Sequence, residues 1–144
     1  MSFNECSNIL SSMSFNGDKQ RNFFNYAYYK IAQNTKNRFV EKNSDSIDII
    51  LDKQPCIKVV PIYQEIDKET LNIKNEIEQA IDIISSSEFK YVYFIYPKNN
   101  KFDKHIQVKV PQLEENDSEY MIKLIPYSLK RLSKSNKCSV ANKE

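Results

Sequence analysis

The octapeptide FKYVYFIY, residues 89–96, is a nearly unbroken apolar and aromatic run that decides the fold class. It is too short for a buried helix and rich in β-formers, so we predict an interior strand covered on both faces. Before it, Asp67 as N-cap and Glu69 in the first turn predict a helix. Its apolar stripe comprises Ile73, Ile77, Ala80, Ile81 and Ile84. A strand, this crossover helix and the buried strand predict one parallel, right-handed pairing.

Upstream of that unit, the pattern predicts one helix followed by a hairpin. Apolar residues recur at helical spacing from Lys19 to about Asn34, with Asp18 as the N-cap. The hairpin consists of strands expected at residues 46–51 and 56–64 with a turn at residues 52–55, and residues 38–41 are a candidate for one further short strand that the five-strand count does not include. Pro61 removes a ladder donor, so the strand at residues 56–64 should bend or stop early there.

Downstream, residues 105–110 alternate as expected of a sheet with one wet face. We expect an acidic loop at residues 112–119, a strand at 120–125 pairing back across it, and a helical turn at 127–132. The predicted fold class is α/β or α+β, with a mixed sheet of about five strands and two main helices, in the order α-β-β-α-β-β-β. Residues 1–17 are expected to form a flexible arm, 18–132 a single globular domain, and 133–144 a polar basic tail.

Composition excludes several classes of site. The 144-residue chain has one glycine, Gly17, which excludes a P-loop or a dinucleotide fingerprint. Its one histidine, His105, excludes HExxH and Cys2His2 zinc sites. Cys6, Cys56 and Cys138 form no CxxC pair, and their odd number and wide spacing favour reduced thiols in the cytoplasm. No window approaches the roughly 20 apolar residues of a membrane span, so we expect no membrane partner.

The segment around Asp48 consists of residues 38–43 followed by Ser46-Ile47-Asp48-Ile49-Ile50. It resembles the PD-(D/E)xK, or restriction-endonuclease-like, superfamily, in which one strand leads into an "(E)IDxI" strand that carries the metal-binding aspartate. The resemblance covers roughly residues 20–97 and implies the family's αβ core, with Asp48 as a metal ligand.

An ungapped comparison places Pro61-Ile62-Tyr63 at the family's E-x-K position. Proline and tyrosine can neither share a divalent metal with Asp48 nor steady an attacking hydroxide. A shifted site is the alternative, with Asp48, Glu65 and Lys68 as catalytic residues and with Asp48 and Glu65 holding Mg²⁺. Otherwise Glu65 is simply an exposed residue at a strand end.

Basic residues concentrate in two segments. Residues 18–42 carry six Lys or Arg against two acids, and residues 127–144 carry five against one. If these segments meet on one face, they can track a phosphate backbone while tyrosines stack on bases. The candidate binding residues are Arg21, Tyr26, Tyr29, Lys130, Arg131 and Lys134. The alternative is a solvated helix face with aromatic residues in the core.

Tyrosine content points to a further binding or oligomerisation surface. The chain has nine tyrosines, and Tyr91 and Tyr93 alternate with apolar residues along the predicted buried strand. We therefore predict a small, non-catalytic cytoplasmic adaptor or regulatory protein without a cofactor, whose partner is another protein. The alternative function is a Mg²⁺-dependent nuclease, or an inactive relative that binds nucleic acid.

Overall fold

The computed structural model describes residues 16–35, 39–51, 54–114 and 119–129. Within them lie three helices and six strands. Their order is α1 (Asn16–Asn34), β1 (Phe39–Lys42), β2 (Ile47–Leu51), β3 (Gln54–Pro61), α2 (Lys74–Ser86), β4 (Tyr91–Pro97), β5 (Ile106–Val108), α3 (Pro111–Glu114) and β6 (Met121–Tyr127). None of these helices has both the length and the hydrophobicity of a membrane span.

All six described strands belong to one mixed sheet in the order β1-β2-β3-β4-β6-β5. β1, β2 and β3 form an antiparallel meander, β3 and β4 are parallel, β4 and β6 are parallel, and β5 is antiparallel to β6. The predicted α/β class and the parallel pair joined by a crossover helix are therefore confirmed. The sheet exceeds the expected five strands because the short β1 is a full member.

Helices pack on both faces of this sheet. On the α1 face, Phe23, Phe24 and Ala27 of α1 pack against the sheet. The strand residues of that cluster are Ile47, Ile49, Val59 and Ile95. On the opposite α2 face, Ala80 and Ile84 of α2 and Leu113 of α3 join a second cluster. Its strand residues include Val60, Val92, Phe94, Tyr96, Ile122 and Leu124. Alternation along β3, β4 and β6 thus supplies two separate cores.

The second helix begins later than the sequence indicated. The helix predicted from Asp67 starts at Lys74, with Ile73 at the N-cap and no side-chain capping bond. Asp67 instead closes a local turn, because its Oδ1 accepts the Glu69 N–H at 2.9 Å and its carbonyl accepts the Thr70 N–H at 3.1 Å. Asp67 hydrogen-bonds turn backbone two and three residues ahead, as Asx residues commonly do.

Several other boundaries also differ from the prediction. α1 begins at Asn16, so Asp18 lies in its first turn rather than at the N-cap. β3 begins at Gln54, inside the predicted turn, and ends at Pro61, as the missing N–H donor led us to expect. Tyr127 is the last residue of β6, not the start of a helical turn. Residues 1–15, 115–118 and 130–144 lie outside the described residues, and with them most of the predicted arm and the whole predicted tail.

Candidate functional site

One row of polar side chains lies on the outward side of α1. Arg21, Asn25, Tyr29 and Gln33 follow each other at four-residue spacing, and all four are exposed. Tyr29 is 60% exposed, and its hydroxyl accepts a hydrogen bond of 3.0 Å from Gln33 Nε2. We call this row the α1 outer face. It contains two of the predicted binding residues, Arg21 and Tyr29.

Tyr26 occupies a different position from Tyr29. It is half-buried, its hydroxyl donates to the Ser128 carbonyl at 3.0 Å, and its ring meets Tyr127 edge-on with centroids 6.3 Å apart. Tyr26 therefore links the end of β6 to α1, and its role in binding stays a prediction. Leu129 packs into the same cluster as α1. Lys130, Arg131 and Lys134 follow in sequence but lie outside the described residues.

Contacts at the N-terminal half of α1 hold the helix against the chain that follows β3. Gln20 Nε2 donates to the Pro61 carbonyl at 2.9 Å, and Gln20 Oε1 accepts the Tyr63 N–H at 2.7 Å. The Tyr63 ring also meets Phe23 edge-on, with centroids 5.9 Å apart. Because the buried side of α1 is fixed in this way, its outer face is a preorganised surface, and less ordering entropy is lost on binding.

A buried ion pair lies on the α2 face of the sheet. The β2–β3 register sets Lys58 opposite Asp48, and Lys58 Nζ lies 2.7 Å from Asp48 Oδ1. Their side chains are only 17% and 11% exposed, and the ammonium also sits 4.5 Å from the centroid of the Phe89 ring. The ungapped comparison did not identify Lys58, because it assigned the family's E-x-K positions to Pro61-Ile62-Tyr63. Counting outward from the Leu51–Gln54 pair would set Ile57 opposite Asp48, and only the register shift between Ile49 and Ile50 brings Lys58 there, a shift that the sequence did not indicate.

Glu65 and Lys68, the other members of the shifted site, lie in the segment after β3 and are exposed. The Lys68 N–H donates to the Lys101 carbonyl at 2.9 Å, which ties this segment to the chain after β4. Across the described ranges, no group of three or more His, Cys, Asp or Glu side chains is arranged to hold a metal ion. The described partner of Asp48 is Lys58, so the shifted site stays a prediction.

Two tyrosines and three neighbouring residues form a surface patch on the α1 face, near the N-terminal ends of β4 and β6. We call this patch the tyrosine face, and it comprises Tyr91, Tyr93, Glu119, Met121 and Lys123. The Tyr91 hydroxyl donates to Glu119 Oε2 at 3.0 Å, and this hydrogen bond raises the pKa of Tyr91. Tyr93 contacts both Met121 Sδ, at 3.8 Å from its hydroxyl, and Lys123 Nζ, at 5.7 Å from its ring centroid.

The tyrosine face departs from the predicted double coverage of β4. Val92, Phe94, Ile95 and Tyr96 are buried, as expected of an interior strand, but Tyr91 and Tyr93 are only half-buried. His105 is exposed, and Cys56 is a half-buried free thiol.

No protein-family model, curated protein or solved structure matches this chain. The functional hypotheses therefore depend on the geometry of the described residues.

Proposed function

We propose that this protein acts by binding another protein, without catalysing a reaction, and that the α1 outer face is its contact surface. The observation that carries the proposal is the 60% exposure of Tyr29 in line with Arg21, on a helix whose opposite side is fixed to the sheet. Tyrosine and arginine are the residue types that contribute most binding energy at protein interfaces. Asn25 and Gln33 supply neutral hydrogen-bonding groups between and beside them.

The charge of the surface favours a protein partner over a nucleic acid. α1 carries three basic residues, Lys19, Arg21 and Lys30, and one acid, Asp18, which gives a net charge of only +2. Tracking a phosphate backbone requires a series of cationic contacts, since binding strength grows with the number of phosphates neutralised. The α1 outer face itself offers one cation, Arg21, next to the neutral amide of Asn25, which suits a partner that presents a single carboxylate. The proposed role is that of a cytoplasmic adaptor or regulator that needs no cofactor.

The test compares the wild-type protein with an α1 variant in a native cell extract. Immobilised wild type and the double variant Arg21→Glu/Tyr29→Ala are incubated with extract, and captured proteins are quantified by mass spectrometry. The matched control is Phe39→Ala, because Phe39 is an equally exposed aromatic residue, 64% exposed, on the edge strand β1. Circular dichroism verifies that all three proteins are folded.

We expect specific proteins to be captured by the wild type and by Phe39→Ala, and to be depleted at least about tenfold with the α1 variant, the size of a hot-spot loss. Equal capture by the wild type and the α1 variant would contradict the proposal. Capture that disappears when the extract is treated with nuclease would also contradict it, and would favour nucleic acid as the partner.

The buried Asp48–Lys58 pair supports a second candidate, an inactive relative of the PD-(D/E)xK nucleases. If the resemblance holds, the observed register assigns the E-x-K spacing to Cys56-Ile57-Lys58, which keeps the lysine and replaces the glutamate by cysteine. Mg²⁺ prefers hard oxygen ligands, and a thiol is a poor substitute. The donor set therefore does not fit a magnesium site at the family's position, which favours loss of cleavage over its retention.

This second candidate is tested by a cleavage assay with Mg²⁺ or Mn²⁺ on plasmid and single-stranded DNA. The variant Asp48→Asn removes the charge with little change of shape, and Asp45→Asn is the control at an exposed position in the turn before β2. Metal-dependent cutting that is lost in Asp48→Asn and retained in Asp45→Asn would establish an active nuclease and overturn the non-catalytic proposal. Absence of cutting, with DNA bound by the wild type, would favour the inactive relative.

A further inference from the structure

β5 is the last strand of the sheet on the side away from β1, and no strand in the described ranges pairs with its outer edge. An edge strand directs alternate backbone N–H and C=O groups outward, where another chain can pair with them. Ile106 and Val108 pack against the core of the α2 face but remain half-buried. A further strand beside β5 would therefore complete both the backbone pairing and the burial of these two side chains.

The polar side chains around β5 carry positive charge and no negative charge. Lys104, His105 and Lys109 are exposed, as is Gln107 in the middle of β5, and no acid occurs in residues 104–110. Neither Lys104 nor Lys109 forms a salt bridge within the described part of the chain. Carrying the strand alternation one residue beyond each end of β5 places His105 and Lys109 on the same side as Gln107. The edge thus has a polar, cationic side and an apolar side.

This charge pattern disfavours a second copy of the chain as the occupant of the edge. Lysines beside an edge strand are a common safeguard against pairing of identical edges. Antiparallel pairing of two β5 edges about Gln107 sets Lys109 beside His105 of the partner subunit, so neither lysine finds an acid. A phosphate backbone would match the lysines, but it matches neither the alternating backbone groups nor the apolar side chains of Ile106 and Val108.

We propose that the outer edge of β5 binds an extended segment of another protein in which acidic and apolar residues alternate. In the order acid, apolar, polar, apolar, acid, the two acids lie beside His105 and Lys109. The two apolar residues then lie beside Ile106 and Val108, on the other side of the added strand. Backbone hydrogen bonds to β5 supply affinity, and the side-chain pattern supplies specificity.

The β5 edge is separate from the α1 outer face. α1 packs over β1 and β3, whereas β5 is the strand at the far end of the sheet order. The inference is therefore independent of the proposed binding function and goes beyond it.

The test follows the amide signals of β5 by NMR in the full-length, isotope-labelled protein. The probe is the capped peptide Glu-Val-Thr-Val-Glu, and the comparison peptide Val-Glu-Thr-Glu-Val has the same composition with the two sides exchanged. We expect the probe to shift the signals of Ile106–Val108 saturably and to bind at least about fivefold more tightly than the comparison peptide, because each acid then faces a polar or cationic neighbour. A single-stranded DNA oligonucleotide tests whether charge alone is enough.

Charge reversal gives a result that misfolding cannot imitate. The variant His105→Glu/Lys109→Glu should lose affinity for the acidic probe and bind Lys-Val-Thr-Val-Lys more tightly than the wild type does, because the charges are exchanged on both sides. The matched control is Lys74→Glu/Asn75→Glu, at exposed positions on α2, in which one base and one neutral residue are likewise replaced by glutamate. We expect the control to bind both peptides as the wild type does.

Four results would overturn the inference. The first is a wild type whose β5 signals do not move with the acidic probe, and the second is equal binding of the probe and the comparison peptide. The third is DNA that shifts the same amide signals as the probe, which would favour a nucleic acid at this edge. The fourth is a folded charge-reversed variant that binds the lysine peptide no better than the wild type does.

Discussion

Replacing Lys58 by methionine removes one charge from a buried pair and leaves the other without a partner. The Lys58 ammonium lies 2.7 Å from Asp48 Oδ1 and 4.5 Å from the Phe89 ring centroid. Methionine keeps an unbranched side chain and an apolar stem, so the substitution changes charge more than packing. The Asp48 carboxylate, with its side chain only 11% exposed, then has no cation beside it.

Removing one partner of a buried ion pair costs about 3–5 kcal/mol of folding free energy. Because the two side chains remain 17% and 11% exposed, some water reaches the pair, and we expect Lys58→Met to lie near the lower end, at about 3 kcal/mol. Loss of the contact with Phe89 accounts for about 0.5–1 kcal/mol of this. The double variant Asp48→Leu/Lys58→Met leaves no unpaired charge, and should recover at least about 2 kcal/mol of the loss.

Urea unfolding at pH 7 measures these free energies, provided that the dependence on urea concentration is the same for all variants. The control is Lys101→Met, whose side chain is 75% exposed and 4.0 Å from Asp67. We expect this control to cost less than about 1 kcal/mol. A loss no larger for Lys58→Met than for Lys101→Met would refute the reasoning, as would a double variant that is less stable than Lys58→Met.

Three further predictions concern other parts of the fold. The Tyr96 hydroxyl is buried and has no hydrogen-bond partner within the described ranges, so Tyr96→Phe should raise the urea unfolding free energy by about 1 kcal/mol; a decrease of that size would contradict this. Burial raises the pKa of Tyr96 and Tyr127 above the ordinary value of 10.0, so the native state holds these protons more tightly than the unfolded state does. Their contribution to stability is complete below pH 10 and is lost as the pH rises further; an unfolding free energy that stays constant through alkaline titration would argue against it. Gln20→Ala removes two hydrogen bonds to the chain after β3 and should cost about 1–2 kcal/mol, whereas Gln33→Ala should cost less than about 0.5 kcal/mol.

Local patterns were enough to predict most strands. Alternation placed Ile47, Ile49 and the residues near Val108 correctly. When one face of a strand is buried, the side-chain period of two determines which residues face the core. The end of β3 at Pro61 also follows from one local property, the missing N–H. The parallel direction of β4 relative to β3 required only the crossover rule.

The features that the sequence did not reveal depend on longer-range or competing contacts. Asp67 has a side chain that commonly caps helices, but it accepts a hydrogen bond in the turn before α2. The same residue type is favoured at both N-caps and turns, so propensity alone does not distinguish the two roles. β6 lies between β4 and β5 in the sheet, although β5 precedes it in the sequence. Its position in the sheet therefore depends on how all three strands pack together. The pairing of Lys58 with Asp48 required the hairpin register, and the separation of Tyr26 from Tyr29 required the docking of β6 on α1.

Photo-crosslinking from position 29 tests the binding hypothesis most directly. A benzophenone amino acid replaces Tyr29 in the living cell, and a control protein carries it at Gln79, an exposed position on α2. Our account predicts a light-dependent adduct at position 29 that protease removes and nuclease does not, with none at position 79. No adduct at position 29, or one that nuclease digests, would contradict the claim that this protein works by holding another protein on the outer side of its first helix.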